Sequence, residues 1–147
     1  MKVRILLLCA LISLIGADKP AKKKDAPSPI APFQGTWTMV MMETKGVRTP
    51  DEALGRYELV IDDHQWTVTN GNIVSFAARF LIDPSQSPRA INLFYMEGGQ
   101  ERLSEGIYTF EGDTLTLARE LDQGARPKEF KTTKDAGLLV VWKRSRP

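Results

Sequence analysis

From Phe33 onward, apolar residues recur at every second position, the mark of strands that bury one face. Val74, Phe76, Ala78, Phe80 and Ile82 share one face of a long run, and Ser75, Ala77, Arg79 and Leu81 share the other. Tyr57, Leu59 and Ile61 alternate with Glu58, Val60 and Asp62, and Trp66 and Val68 with Thr67 and Thr69. Ile91, Leu93 and Tyr95 form another face, as do Leu115 and Leu117, and the last run places Leu138, Val140 and Trp142 together. Turn chemistry separates the runs. Asn70-Gly71 suits a two-residue hairpin, with both central residues at positive φ. Asp62-Asp63 and Glu111-Gly112-Asp113 read as tight turns, Asp83 to Pro88 as a longer rigid link, and Ala136-Gly137 as the start of the last strand. Only Thr49–Leu54 starts like a helix, with Pro50 early and Asp51 and Glu52 behind it. The pattern predicts seven to nine antiparallel strands and one short helix. These form an all-β meander that closes into an up-and-down barrel of about eight strands or splits into a sandwich.

The first 32 residues follow different rules. Lys2 and Arg4 precede an apolar run from Ile5 to Ile15, and Ala17 offers the small residue of a signal-peptidase site. A bilayer-spanning helix needs roughly 20 apolar residues, so residues 1–17 read as a cleaved signal peptide and leave no stable membrane span. Cys9 lies inside the apolar run, which argues against a lipoprotein. Residues 18–32 carry four Pro and four Lys, with Ile30 as the only large apolar side chain, and read as a disordered tether. The expected product is a periplasmic or extracellular domain over residues 33–147.

Charge narrows the partners. The chain has 20 Lys+Arg against 18 Asp+Glu, but from Phe33 on 14 basic residues face 16 acidic ones. That balance lacks the footprint of a nucleic-acid binder. One His and one Cys exclude His/Cys metal clusters and Cys–His nucleophiles. Asp62, Asp63 and His64 are adjacent turn residues that point apart, so no metal site is expected. Asp83 and Ser85 have no base to complete a nucleophile. Glu101/Glu105 and Glu111/Asp113 lack the apolar surroundings that shift a carboxyl. No catalytic residue, no cofactor and no enzymatic activity are expected.

Four segments in order carry a resemblance: Phe33-Gln34-Gly35-Thr36-Trp37, Asp83-Pro84 with Pro88-Arg89-Ala90-Ile91-Asn92-Leu93, Gly106 to Leu115 (GIYTFEGDTL), and Arg126-Pro127-Lys128-Glu129-Phe130. Together they resemble an uncharacterised lipocalin-like domain family found repeatedly in planctomycete genomes, departing from it at Ser85-Gln86-Ser87. The likeness runs from Phe33 to about Arg144. It implies a barrel in which Gly35 and Trp37 of the first strand sit at the closed end beneath a basic side chain of the last strand, Arg144 by parity. It hands over no catalytic residue.

Two functions follow. The first is a monomeric binding module for a small apolar ligand or envelope component, its pocket lined by Met39, Met41, Trp66, Phe76, Phe80, Tyr95 and Tyr108. The second is a filled barrel that contacts an envelope protein or polymer. Arg126 is read as an ion-pair anchor of its loop, with Phe130 plugging the barrel end. An apolar pocket of about 300 Å³ or more favours the first function. A filled barrel with an exposed apolar patch favours the second.

Overall fold

The structure, a computed structural model, describes residues 26–121 and 124–145. The expected signal peptide, residues 1–17, and residues 18–25 of the expected tether lie outside the described residues.

Among the described residues nine strands follow one another: β1 (Gly35–Thr44), β2 (Val47–Arg48), β3 (Tyr57–Asp62), β4 (Gln65–Asn70), β5 (Ile73–Asp83), β6 (Ala90–Glu97), β7 (Gln100–Glu111), β8 (Thr114–Arg119) and β9 (Leu138–Arg144). All neighbours pair antiparallel, and β1 also pairs with β9, from Trp37 opposite Arg144 to Thr44 opposite Leu138. Eight strands therefore close into an up-and-down barrel, with β2 a two-residue flap on β1. Helix α1 (Asp51–Leu54) follows β2, with Pro50 before its first residue and Leu54 buried in the core. Eight strands leave an interior that side chains can nearly fill.

The hairpins reveal how the turns work. Asn70-Gly71 does close a hairpin, but only Gly71, at φ 59°, is positive there. Glycine thus takes the first central position and Asn72 the second. Between β6 and β7, Gly98 and Gly99 are both positive, at 59° and 79°.

Two bulges break the period-two pattern. On β1, Met39 faces Trp142 and Met41 faces Val141, so Val40 is the extra residue. Inward parity passes from Met39 to Met42 and leaves Met41 on the outer face. On β5, Val68 faces Phe76 while Thr69 faces Val74, so Ser75 is extra. Val74 is consequently 59% exposed instead of continuing the buried face of Phe76, Ala78 and Phe80.

One end of the barrel is sealed. Contrary to a wholly disordered spacer, the chain is seated from Ile30, which is only 9% exposed, and residues Ala31–Phe33 form a 3₁₀ turn. Phe33 is fully buried, its ring centre 5.2 Å from Phe80, 4.9 Å from Tyr108 and 4.8 Å from Phe110. Trp37 Nε1 donates to the Phe33 carbonyl at 2.8 Å. Gln34 bonds the backbone of Asp63 in both directions, tying the cap to the β3–β4 turn. Phe33, and not Phe130, plugs this end.

Residues 124–137 form a strap outside the barrel. Ala90, Ile107 and Ala118 face one another in the ladder and are buried, yet lie outside the interior cluster. Arg126 fastens the strap beside them. Nη1 donates to the carbonyls of Ile91 (3.0 Å) and Gly106 (2.5 Å), and Nη2 to Asn92 Oδ1 (2.7 Å) and Glu105 Oε1 (2.8 Å). Phe130 lies on the outer surface, in a recess shared with Arg89 and Thr109.

Candidate functional site

The barrel is packed unevenly from end to end. Phe33, Phe80, Tyr108 and Phe110 fill the sealed end. Towards the other end the aromatic layer stops, and a cavity of about 130 Å³ remains. Met39, Trp66, Phe76, Leu117, Val140 and Trp142 form most of its wall. Tyr57 at the start of β3, Arg119 at the end of β8 and Leu138 at the start of β9 place its mouth at the open end. The β1 bulge matters here, because Met42 lines the cavity and Met41 does not. The β5 bulge puts Ser75 on the wall, its hydroxyl bonded to the Val68 carbonyl at 3.1 Å.

Arg119 is the one cation in that wall. Its guanidinium lies 4.8 Å from the Phe76 ring centre. Nη1 donates to Ser104 Oγ at 3.1 Å and reaches the Glu120 carbonyl at 3.5 Å, and Ser104 Oγ donates to that carbonyl at 2.7 Å. Among the described residues neither Nε nor Nη2 has a hydrogen-bond partner, and no carboxylate forms an ion pair with Arg119. Burial lowers the guanidinium pKa, with the nearby Tyr95 phenol opposing, but an arginine still keeps its charge at neutral pH. Arg102, inward on the neighbouring strand, has a counter-charge in Glu97 at 3.6 Å, too far for a hydrogen bond, and its buried Nε has no hydrogen-bond partner among the described residues. Trp142 Nε1 is buried without a partner.

A second recess lies on the outer wall. β5 pairs with β6 only from Arg79–Phe94 to Asp83–Ala90, so Ile73–Ala78 and Tyr95–Glu97 part from each other. The slot between them holds about 470 Å³ and is lined on both sides, with Val74 and Phe76 facing Tyr95 and Met96. Phe76 and Tyr95, ring centres 5.4 Å apart, separate slot from cavity. Ile73 (73% exposed) and Met96 (65%) stand at its rim.

The structure therefore redistributes the residues expected to form a pocket. Met39, Trp66 and Phe76 line the cavity, Tyr95 lines the slot, and Phe80 and Tyr108 belong to the sealed aromatic layer. Met41 faces outward. The lining residues that were not anticipated include Met42, Leu117, Arg119, Val140 and Trp142. Leu117, Val140 and Trp142 were already on apolar faces. Met42 was hidden by a bulge, and Arg119 by its place at a strand end.

Closure at the sealed end is geometric. Arg144 Cζ lies 4.1 Å from the Trp37 ring centre, with Nη1 and Nη2 each 2.6 Å from the carbonyls of Gln34 and Pro32. Gly35 sits beneath at φ 109°, a backbone region that side chains rarely enter.

The remaining candidates are engaged locally. His64 Nδ1 lies 2.9 Å from the Phe80 carbonyl, its ring 5.7 Å from the Phe80 ring, so it leans on the barrel while its side chain stays partly exposed. The Asp83 carboxylate accepts bonds from Ser85 Oγ (2.6 Å), Ser85 N (3.0 Å) and Gln86 Nε2 (3.0 Å), and those bonds, the Ser85 hydroxyl first, hold its pKa below the usual carboxylate value. Among the described residues no three His, Cys, Asp or Glu side chains gather as metal ligands, and no helix is long and apolar enough to cross a membrane. The chain matches no family model, no curated protein and no solved structure.

Proposed function

We propose that this chain is an exported, lipocalin-like binding module that takes a small apolar molecule through the open end of its barrel. The cavity beneath Tyr57, Arg119 and Leu138 carries the reading, because its walls are almost wholly apolar while the opposite end is plugged. Its size revises the expected ligand. About 130 Å³ falls short of the roughly 300 Å³ of a drug-sized pocket. A void near 150 Å³ with such walls stays dry and accepts a molecule the size of benzene. The ligand, or the part of it that enters, is therefore about six carbons.

The test uses the tryptophans. Trp66 and Trp142 line the cavity and Trp37 does not. Titration with 1-hexanol is expected to shift the indole N–H resonances of Trp66 and Trp142 saturably and leave Trp37 unmoved. Equal, non-saturating movement of all three overturns the reading. Export has a separate check, since the mature protein should begin at or near Asp18.

The slot favours a second reading, that of an interaction domain. Residues Ile73–Ala78 present an unpaired strand edge with no charged residue or proline, the kind of edge that accepts another strand. If it acts so, the Val74–Ala78 amides should broaden as protein concentration rises, through self-pairing. Sharp lines up to millimolar concentration count against it.

A further inference from the structure

We infer that the cavity selects a small apolar molecule bearing a carboxylate, held by the free edge of Arg119. The inference rests on the cavity being a ligand site and adds the chemistry of the ligand's head. A guanidinium offers two edges to an oxyanion, and the edge made by Nε and Nη2 projects two parallel N–H groups that match the two oxygens of a carboxylate. The protein uses only the other side: Nη1 is tied to Ser104 Oγ and the Glu120 carbonyl, while Phe76 supports the flat face. The fork is therefore held in place before a ligand arrives, which reduces the entropy lost on binding.

Charge bookkeeping at the open end points the same way. Arg102 faces Glu97, and Glu105 outside the wall is taken by Arg126 at 2.8 Å. Arg119, partly withdrawn from water beside an apolar cavity, has no carboxylate among the described residues. A cation in that setting costs free energy unless it is paired. A ligand carboxylate supplies the missing charge while its apolar body lies against Leu117, Val140 and Trp142. One free fork suits one carboxylate. The cavity beneath it limits the body to about six carbons, as above.

Hexanoate and 1-hexanol differ in the head alone, so together they form the test. Both are titrated at pH 7, with the Trp66 and Trp142 indole resonances as the readout. Hexanoate is expected to bind about tenfold or more tighter than 1-hexanol, as a charge-assisted pair provides. Arg119→Gln should bring the two to near parity, and Arg102→Gln should leave the preference in place. Equal affinities in the unaltered protein overturn the inference and leave the cavity reading standing. Equal loss of preference in both variants overturns it too, because a diffuse positive field would then be responsible. If neither compound moves the two resonances, the cavity reading fails and takes this inference with it. The comparison in the unaltered protein needs no variant, so poor folding of Arg119→Gln does not blunt it.

Discussion

Arg144 joins three parts of the chain at once: it stacks on Trp37 of β1, reaches the carbonyls of Pro32 and Gln34 in the cap, and lies 4.0 Å from Asp113 in the β7–β8 turn. Trp37→Ala should cost about 3–5 kcal/mol through lost burial and the void left behind. Arg144→Ala should cost less, since its side chain is part-exposed and a cation–π contact contributes roughly 0.5–2 kcal/mol. The double variant should be less damaging than the two single costs combined, because each single change removes the same contact. Strict additivity in urea unfolding would show that the stack contributes nothing. A second residue-scale test concerns Asp83. Its folded pKa is lowered, so the stability it contributes is present above the ordinary carboxylate pKa and fades as pH falls through the lowered value. Ser85→Ala removes the first cause and should raise the Asp83 pKa towards the ordinary value, read from its side-chain carbon shift against pH. An unchanged titration contradicts the hydrogen-bond account.

Among the elements, the N-terminal cap and the strap were the hardest to read in the sequence, and the strands the easiest. Alternation located six of the eight barrel strands, β3 to β6, β8 and β9, because a half-buried strand must place every second residue inside. It failed wherever one extra residue entered. Val40 and Ser75 leave no compositional trace, yet they turned Met41 outward, brought Met42 in and exposed Val74. The cap was missed because Ile30 and Phe33 sit among prolines and lysines, where composition argues for disorder. Two apolar residues suffice when a ready-made aromatic pit receives them. A chain starting at Ser28 should therefore keep the melting temperature of one starting at Asp18 within a few degrees. One starting at Gln34 should lose several degrees or more, as removal of a fully buried Phe costs on the order of 3–5 kcal/mol. Equal melting temperatures would mean that the cap is only laid on the barrel. Under the strap, Gly106 is confined: a Cβ there would stand 2.7 Å from the Ala118 carbonyl. Gly106→Ala should thus cost about 1–3 kcal/mol by overpacking, and chemical denaturation with no loss would refute the tight fit.

At the scale of the whole molecule, the barrel divides its interior between a sealed, close-packed end and an open end where packing stops short of filling the space. The division follows from where the aromatic side chains fall. Phe33, Phe80, Tyr108 and Phe110 pack ring on ring at one end, whereas at the open end Tyr57, Phe76 and two tryptophans stand among methionine and aliphatic residues and leave about 130 Å³ empty. Two leucines test the consequence under matched chemistry. Leu59 is fully buried and does not line the cavity, while Leu117 is 2% exposed and forms part of the cavity wall. A side chain that already faces empty space has fewer atoms to lose contact with, so the two truncations should differ although both delete the same carbons. Leu59→Ala should fall near the upper end of the known Leu→Ala range, about 4–5 kcal/mol, and Leu117→Ala nearer about 2–3 kcal/mol. Urea unfolding with unchanged slope reads both values directly. The ligand response should run the opposite way. Leu117→Ala enlarges the existing cavity, so at one fixed 1-hexanol concentration that variant should be stabilised more than the unaltered protein, while Leu59→Ala should gain only what the unaltered protein gains. Equal costs for the two truncations, or equal rescue, would mean that the open end is packed as tightly as the sealed one.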